Sequence, residues 1–249
     1  MSPFLISYCL PAKNRTLNLQ ATLPFTIKAA NESPPIEIVI ADYGSSDGLK
    51  DYLDSLPKFA PGNFLTYIRY EGNPYFNLSH ARNIANRYSH GDYLAQSGAE
   101  MKIANTWFTS VRNTIGDGTP KLLTRMRNPG TPPYYPHYCP EIAIIERNEF
   151  IKAGGFDERI EFYWFEDRDL TARLIRRGLK PTFVPLSYTQ QESSPTSTES
   201  KKYINYRTVE GLTTEQLKLM MRNIWKQNAI DNVLVANEGM DWGSLLTRF

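Results

Sequence analysis

A chain of 249 residues, 22% charged and 41% hydrophobic, can bury a sizeable core, and its composition is that of a globular domain, alone or with an appendage. A formal net charge of +2 argues against a strongly electrostatic nucleic-acid binder. No apolar run reaches bilayer-spanning length, and Cys9 and Cys139 each sit in a strand-like apolar run that reads as a buried free thiol. The first residues lack a basic start and a small-residue cleavage site, so they read as a strand, and the expected location is the cytoplasm.

Residues 4–10 form a short apolar run closed by Pro11, a buried-strand pattern. Residues 16–30 carry Leu17, Ala21, Leu23 and Ile27 at helical spacing, with Pro24 expected to kink the helix or delay its start. Residues 36–41 are continuous and β-branched, as a central parallel strand requires. Ser46 is the expected cap of a helix bearing Leu49, Tyr52, Leu53 and Leu56 and stopped by Pro57. Residues 64–70 alternate as a strand, Ser79 reads as the N-cap of a helix reaching Tyr88, and residues 92–97 make a fourth strand. Four strands joined by three helices predict an α/β fold with a doubly wound, mostly parallel sheet. Ligands of such sheets lie beyond the carboxyl ends of the strands, where Pro11, Asp42 and residues 98–100 stand.

The second half is less regular. Residues 129–140 are rich in proline and aromatics and read as a loop, 137–147 contain a strand, and 148–153 a short helix ended by Gly154. Residues 166–177 form a helix with an acidic first turn, a basic last turn and Gly178 behind it. A strand over 182–188 and a polar loop over 190–200 follow. Thr213 and Gln216 make a capping-box pattern before a helix with Leu217, Met220, Met221, Ile224 and Trp225.

Several segments carry chemistry. Asp42-Tyr-Gly-Ser-Ser-Asp-Gly48 puts a carboxylate at a strand end, where it can accept the imide N–H of a pyrimidine base. Turn chemistry alone also accounts for Gly44, Ser45 and Gly48, and Asp47 could cap a helix. Pro11-Ala-Lys-Asn-Arg15 follows the first strand. Arg82 and Asn83 lie in the first turns of the third helix, where Arg82 could also be a solvated arginine on an amphipathic face, and His80 is expected at the solvent edge or in a local hydrogen bond. Gly154-Gly-Phe-Asp-Glu158 precedes Trp164-Phe-Glu-Asp-Arg-Asp-Leu170. Adjacent Glu166 and Asp167 at a helix start feel the helix dipole and each other, which can separate their protonation. Acidic capping explains either carboxylate alone, but not the set at this spacing.

In order and spacing, these segments resemble the nucleotide-sugar glycosyltransferases of the GT-A fold, family 2 type, over residues 3–190. The resemblance implies a donor site of Pro11, Arg15, Asp42, Ser45, Arg82, Asn83 and Glu100, with Asp42 on the base. It implies Asp167 as general base of an inverting transfer, Glu166 on an acceptor hydroxyl, Trp164 stacked on a sugar face, and Gly155 on the acceptor side. The implied partners are a nucleotide-sugar donor, a UDP-hexose foremost, and a glycan or other hydroxyl acceptor. Residues 1–105 would form the nucleotide-binding half, 106–200 the acceptor half, and 201–249 a C-terminal helical appendage, with Asp241-Trp-Gly243 expected to dock on the core.

The chain departs from the family at two places. The usual Asp-x-Asp reads Gly98-Ala-Glu100, and the His of the Ala-Tyr-His-Gln-Glu stretch in chondroitin-polymerase-like members is Thr189. Glu100 is then the candidate ligand for Mn2+ or Mg2+, while Gly98 cannot hold a ribose. Without metal, Arg82, Arg15 or a basic residue of 201–207 would meet the diphosphate. Three other readings stay open: an inactive binding module on the same fold, a transferase acting on a hydroxymethylated nucleic-acid base, and a retaining enzyme or nucleotidyltransferase.

Overall fold

Every residue of β1 (Ile6–Ala12) and β2 (Ile36–Asp42) is buried, as strands covered on both faces require. The computed structural model describes residues 4–72, 75–116, 121–125, 143–184, 189–191 and 212–245. With β3 (Phe64–Arg69), β4 (Tyr93–Gln96), β6 (Leu122–Arg125), β7 (Ala143–Glu146) and β8 (Thr182–Val184), these strands form one seven-stranded sheet in the order β3-β2-β1-β4-β7-β6-β8. Only β7 runs against the others. A separate antiparallel pair joins β5 (Met101–Ile103) to β9 (Thr189–Gln191).

Helices cover both faces. On one, Leu19 and Leu23 of α1 (Thr16–Asn31), Leu49 and Leu53 of α2 (Leu49–Asp54), and Trp107 and Phe108 of α4 (Trp107–Ile115) pack on Ile6, Tyr8 and Ile38. On the other, Ala81, Ile84 and Ala85 of α3 (Leu78–Arg87) meet Cys9, Val39 and Ala41. There too, Phe150 of α5 (Arg147–Lys152) and Leu170 and Leu174 of α6 (Glu166–Arg176) meet Leu94 and Ile145. The strand order turns back between β1 and β4, which opens a crevice at their carboxyl ends. Among the described residues no helix is long and apolar enough to cross a membrane. Cys9 is a buried free thiol, and Cys139 lies outside the described residues.

Several local expectations are corrected. β1 runs through Pro11 to Ala12, because β4 leaves β1 after Gln96 and the proline costs no ladder bond on that side. α1 is unbroken at Pro24; both Pro24 and Gln20 are exposed, so water replaces the lost helical bond. α2 starts from Gly48 without a side-chain cap and ends at Asp54; the Ser46 amide and hydroxyl both turn to Asn14 instead. Asn77, not Ser79, caps α3 by accepting from the His80 amide; the Ser79 hydroxyl donates to the Ile160 carbonyl. α4, β5 and β6 were not foreseen, and the strand Thr189–Gln191 takes the start of the loop expected over 190–200, the rest of which lies outside the described residues. The expected loop over 129–140, the end of the strand over 182–188 and the basic stretch 201–207 lie outside the described residues.

The C-terminal part returns to the core. Thr213 and Gln216 close the expected capping box on α7 (Thr214–Ile230). Beyond it, the Ala236 amide donates to the Ala153 carbonyl at 2.9 Å, and the Asn237 amide group donates to the carbonyls of Gly154 and Phe156. Trp242 packs on Phe150, and the Gly243 amide donates to Glu158 at 2.7 Å, so Asp241-Trp-Gly243 does dock. Gly154 has φ +73°, and a Cβ there would lie 2.0 Å from the Ala236 carbonyl oxygen. Gly154→Ala is therefore expected to lose at least ~2 kcal/mol in urea unfolding; an unchanged midpoint would refute this close approach.

At the opposite end of the sheet, fully buried Glu37 accepts from Ser7, Thr66 and both the amide and ring of His90. Burial acts to raise its pKa, and these hydrogen bonds outweigh burial and hold it below the ordinary carboxylate range. A depressed carboxylate stabilises the fold above its unfolded pKa, and that contribution disappears as pH falls through the folded value. The urea midpoint is expected to fall on acidification below about pH 4, and Glu37→Gln to flatten part of that fall. An identical acid limb in the variant would count against it.

Candidate active site

The crevice between β1 and β4 is a cleft open to solvent and lined by Pro11, Lys13, Arg15, Phe76, Leu78, Arg82, Ser97, Gly98, Ala99, Glu100 and Tyr163. Its floor is held from several sides. The Ser97 amide donates to the Cys9 carbonyl, and its hydroxyl shares a 2.6 Å hydrogen bond with buried Tyr8. Thr22 of α1 donates to the Ala99 carbonyl at 2.7 Å. On the wall, the Lys13 ammonium donates to the Tyr43 carbonyl at 2.9 Å, which fixes its direction. Among the described residues three cations and one carboxylate thus line the cleft, an arrangement suited to a polyanion.

Gly98 and Glu100 occupy one space between them. A Cβ at Gly98 would stand 2.7 Å from Glu100 Oε1, so the glutamate carboxylate lies where a side chain at position 98 would project. The departure from Asp-x-Asp is a trade: one longer carboxylate replaces two short ones. Among the described residues no three His, Cys, Asp or Glu side chains come together. A single carboxylate suits Mg2+ or Mn2+ only when substrate phosphates and water complete the shell. Glu100 fits a metal on that condition.

Behind the cleft stands the carboxylate pair. Trp164 and Phe165 have φ of +79° and +73°, an unusual backbone for two non-glycine residues, and the turn they make leads straight into α6. The turn is clamped from outside by α7, where Trp225 stacks on Phe165 at 5.4 Å and Leu217 and Met221 complete an apolar cluster. Arg82 Nη1 donates to Asp167 and lies 3.6 Å from Glu166. Burial and the Asp167 charge push Glu166 up to about 7, with Arg82 acting the other way. Burial works against the Arg82 charge, and Asp167 and Glu166 overcome it, holding the guanidinium above its ordinary range.

The expected site residues are only partly brought together. Pro11, Arg15, Arg82 and Glu100 line the cleft, and Glu166 and Asp167 lie behind Arg82. Asp42 does not open onto it. Its side chain is fully buried and accepts from the Ser45 amide, the Tyr67 hydroxyl and Arg69 Nη1, so it braces the loop that follows β2. Ser45 belongs to that brace, accepting from the Asn14 amide, and Asp47 caps α1 through the Thr16 amide.

Asn83 is not among the cleft-lining residues either. It is fully buried, its amide group donating to Phe156 and Glu158 and its oxygen accepting from the Phe156 amide. Gly155 packs against Asn83 and Trp242 instead of facing an acceptor. Trp164 sits beside α7, with the Lys218 ammonium 5.9 Å from its ring centre. His80 is buried and not at the solvent edge, bonding Tyr43 and the Ser244 carbonyl at 3.0 Å each. Thr189 lies on β9, across from Ile103. Lys13 and Tyr163 went unnoticed in the sequence, although Lys13 lies inside a quoted segment; burial and Glu100 push the Tyr163 hydroxyl up to about 12.

The chain matches no curated protein sequence. Among solved structures, TarS of S. aureus in complex with UDP is 15% identical with a TM-score of 0.60, covering 90% of this chain and 71% of that one; a longer TarS is covered over 43%. The mannosyltransferase PcManGT from Pyrobaculum calidifontis, in complex with GDP-Man and Mn2+, is 15% identical with a TM-score of 0.60, covering 94% and 72%. GalNAc-T7 with UDP, GalNAc and Mn2+ is 19% identical with a TM-score of 0.62, covering 74% and 43%. These likenesses show the GT-A fold. The family model described as glycosyl transferase family 2 matches residues 7–178, more than half of the chain, and the chain belongs to that family of glycosyltransferases.

Proposed function

We propose that the protein transfers a hexose from a UDP-sugar to an acceptor hydroxyl with inversion, Asp167 serving as general base. The observation that carries this reading is Arg82, which lines the cationic cleft and pairs with the Asp167–Glu166 carboxylates behind it. Lys13, Arg15 and Arg82 would receive the diphosphate, and Tyr163 and Phe76 would shield it from water. Asp167 takes the proton of the acceptor hydroxyl, whose oxygen bonds to the anomeric carbon as the bond to the diphosphate breaks and its electron pair leaves with phosphate. Glu166 orients the acceptor hydroxyl from the turn made by Trp164 and Phe165. A divalent ion held by Glu100 and the phosphates would neutralise charge on the leaving group.

UDP- and GDP-sugars both occur in the related structures, so the donor is best read from a hydrolysis screen over UDP-, GDP- and dTDP-sugars in Mn2+, Mg2+ or EDTA. Binding of none of these nucleotides under any condition would favour the inactive module. Asp167→Asn is expected to lower transfer by about 100-fold or more while still binding nucleotide. Turnover kept near wild type would remove Asp167 from the base role. Glu100→Ala is expected to abolish whatever gain in UDP affinity Mn2+ confers in calorimetry, and a gain that survives would put the ion elsewhere.

A further inference from the structure

Arg82 faces two claims on one charge. Its guanidinium forms part of the cleft wall, where any diphosphate would lie, and the same group is the counter-ion of Asp167. The side chains of Arg82, Asp167 and Glu166 are 10%, 12% and 6% exposed, so water screens little of the attraction among them. The arrangement is also unfinished. Arg82 Nε and Glu166 Oε2 are both buried without a hydrogen-bond partner among the described residues, although buried polar groups are as a rule satisfied. Phe156 lies under the guanidinium, 5.1 Å from its ring centre, a surface over which a planar cation can slide while keeping that contact.

We propose that Arg82 is shared between Asp167 and the anion that fills the cleft, so that donor loading itself releases Asp167 to accept the acceptor's proton. The inference rests on the nucleotide-sugar reading above and adds a coupling to it. A carboxylate held by a buried guanidinium is a poor proton acceptor, because the cation stabilises its charged form. A diphosphate competes for that cation with at least two negative charges. As the arginine turns to the phosphates, Asp167 loses its counter-ion and becomes the stronger base. Linkage makes the effect reciprocal: what the donor takes from Asp167, Asp167 takes from donor affinity. The base is thus idle in the empty protein and ready once the sugar is in place. Arg82 acts here as a positioning residue, distinct from one that merely binds phosphate.

The test is UDP binding by calorimetry in EDTA, with wild type, Asp167→Asn, Arg82→Gln and the double variant. Removing the charge of Asp167 frees the arginine, so Asp167→Asn is expected to bind UDP at least about tenfold more tightly than wild type. Loss of a purely structural ion pair would leave affinity unchanged or weaken it. In the Arg82→Gln background the same substitution has no arginine to release, and the two proteins should agree within about twofold. Equal tightening in both backgrounds would reduce the effect to a simple field of one charge and overturn the sharing. Glu166→Gln, which leaves the Asp167 pair in place, is expected to shift affinity the same way by less, and it serves if Asp167→Asn proves unstable. A wild-type protein that binds neither UDP nor GDP, with or without Mn2+, would instead defeat the nucleotide reading and this coupling with it.

Discussion

A guanidinium removed from water must be neutralised and hydrogen-bonded on every side, and Arg173 meets that demand at 0% exposure. Its Nε donates to Asp169 at 2.7 Å, and its two terminal nitrogens donate to the carbonyls of Ala153 and Gly155. Asp169 in turn accepts from Asn228 of α7, and the same amide group reaches Asp157. One buried charge therefore joins α6, the Gly154–Gly155 turn and α7. Removing one partner of such a set costs about 3–5 kcal/mol, because the other is left charged in the interior. Since α6 begins with Glu166 and Asp167, the position of the carboxylates at its first turn is fixed from near its last.

The turn before α6 needs an anchor of its own. Left-handed backbone costs a non-glycine residue about 1–2 kcal/mol, and Trp164 and Phe165 adopt it one after the other. Neither the sheet nor α6 alone supplies the compensation. It comes from the cluster in which Phe165 stacks on Trp225 while Ile160, Phe162, Leu217 and Met221 close around it. The helix after residue 213 is thus a structural part of the site's wall, although it lies beyond the stretch matched by the family.

The sheet was legible because its determinants are local: unbroken apolar runs for β1 and β2, helical spacing over α3 and the end charges of α6, whereas on α1 the expected Leu17 and Ala21 are exposed and Leu19 is buried with Leu23 and Ile27. The same periodicity, Trp107, Phe108, Val111 and Ile115, marked α4 and was passed over. The site was legible only in part, because a motif fixes which residues recur without saying which of them face the ligand. Asn83 and Gly155 recur with the family pattern, yet they bind each other's elements from 72 positions apart, Gly155 crowding the Asn83 oxygen and Trp242. Asp42 stands at a strand end within the family pattern, and Tyr67 and Arg69 on the neighbouring strand claim its carboxylate. Local patterning carries no information about partners at that separation. Gly98 and Glu100 are the opposite case: the substitution was visible, but its meaning needed the 2.7 Å proximity that shows one side chain filling the other's room.

The return of residues 228–244 to the segment 154–158 also constrains how the molecule is made. Asn228, Asn237 and Gly243 supply hydrogen bonds that complete the polar core around Gly154, Phe156, Asp157 and Glu158. A nascent chain leaving the ribosome can assemble β1 to β4 early, from near neighbours, whereas the carboxylate-bearing wall must wait for residues more than 70 positions downstream. During synthesis the half-finished protein is therefore expected to hold a cationic cleft with no ordered carboxylate pair behind it.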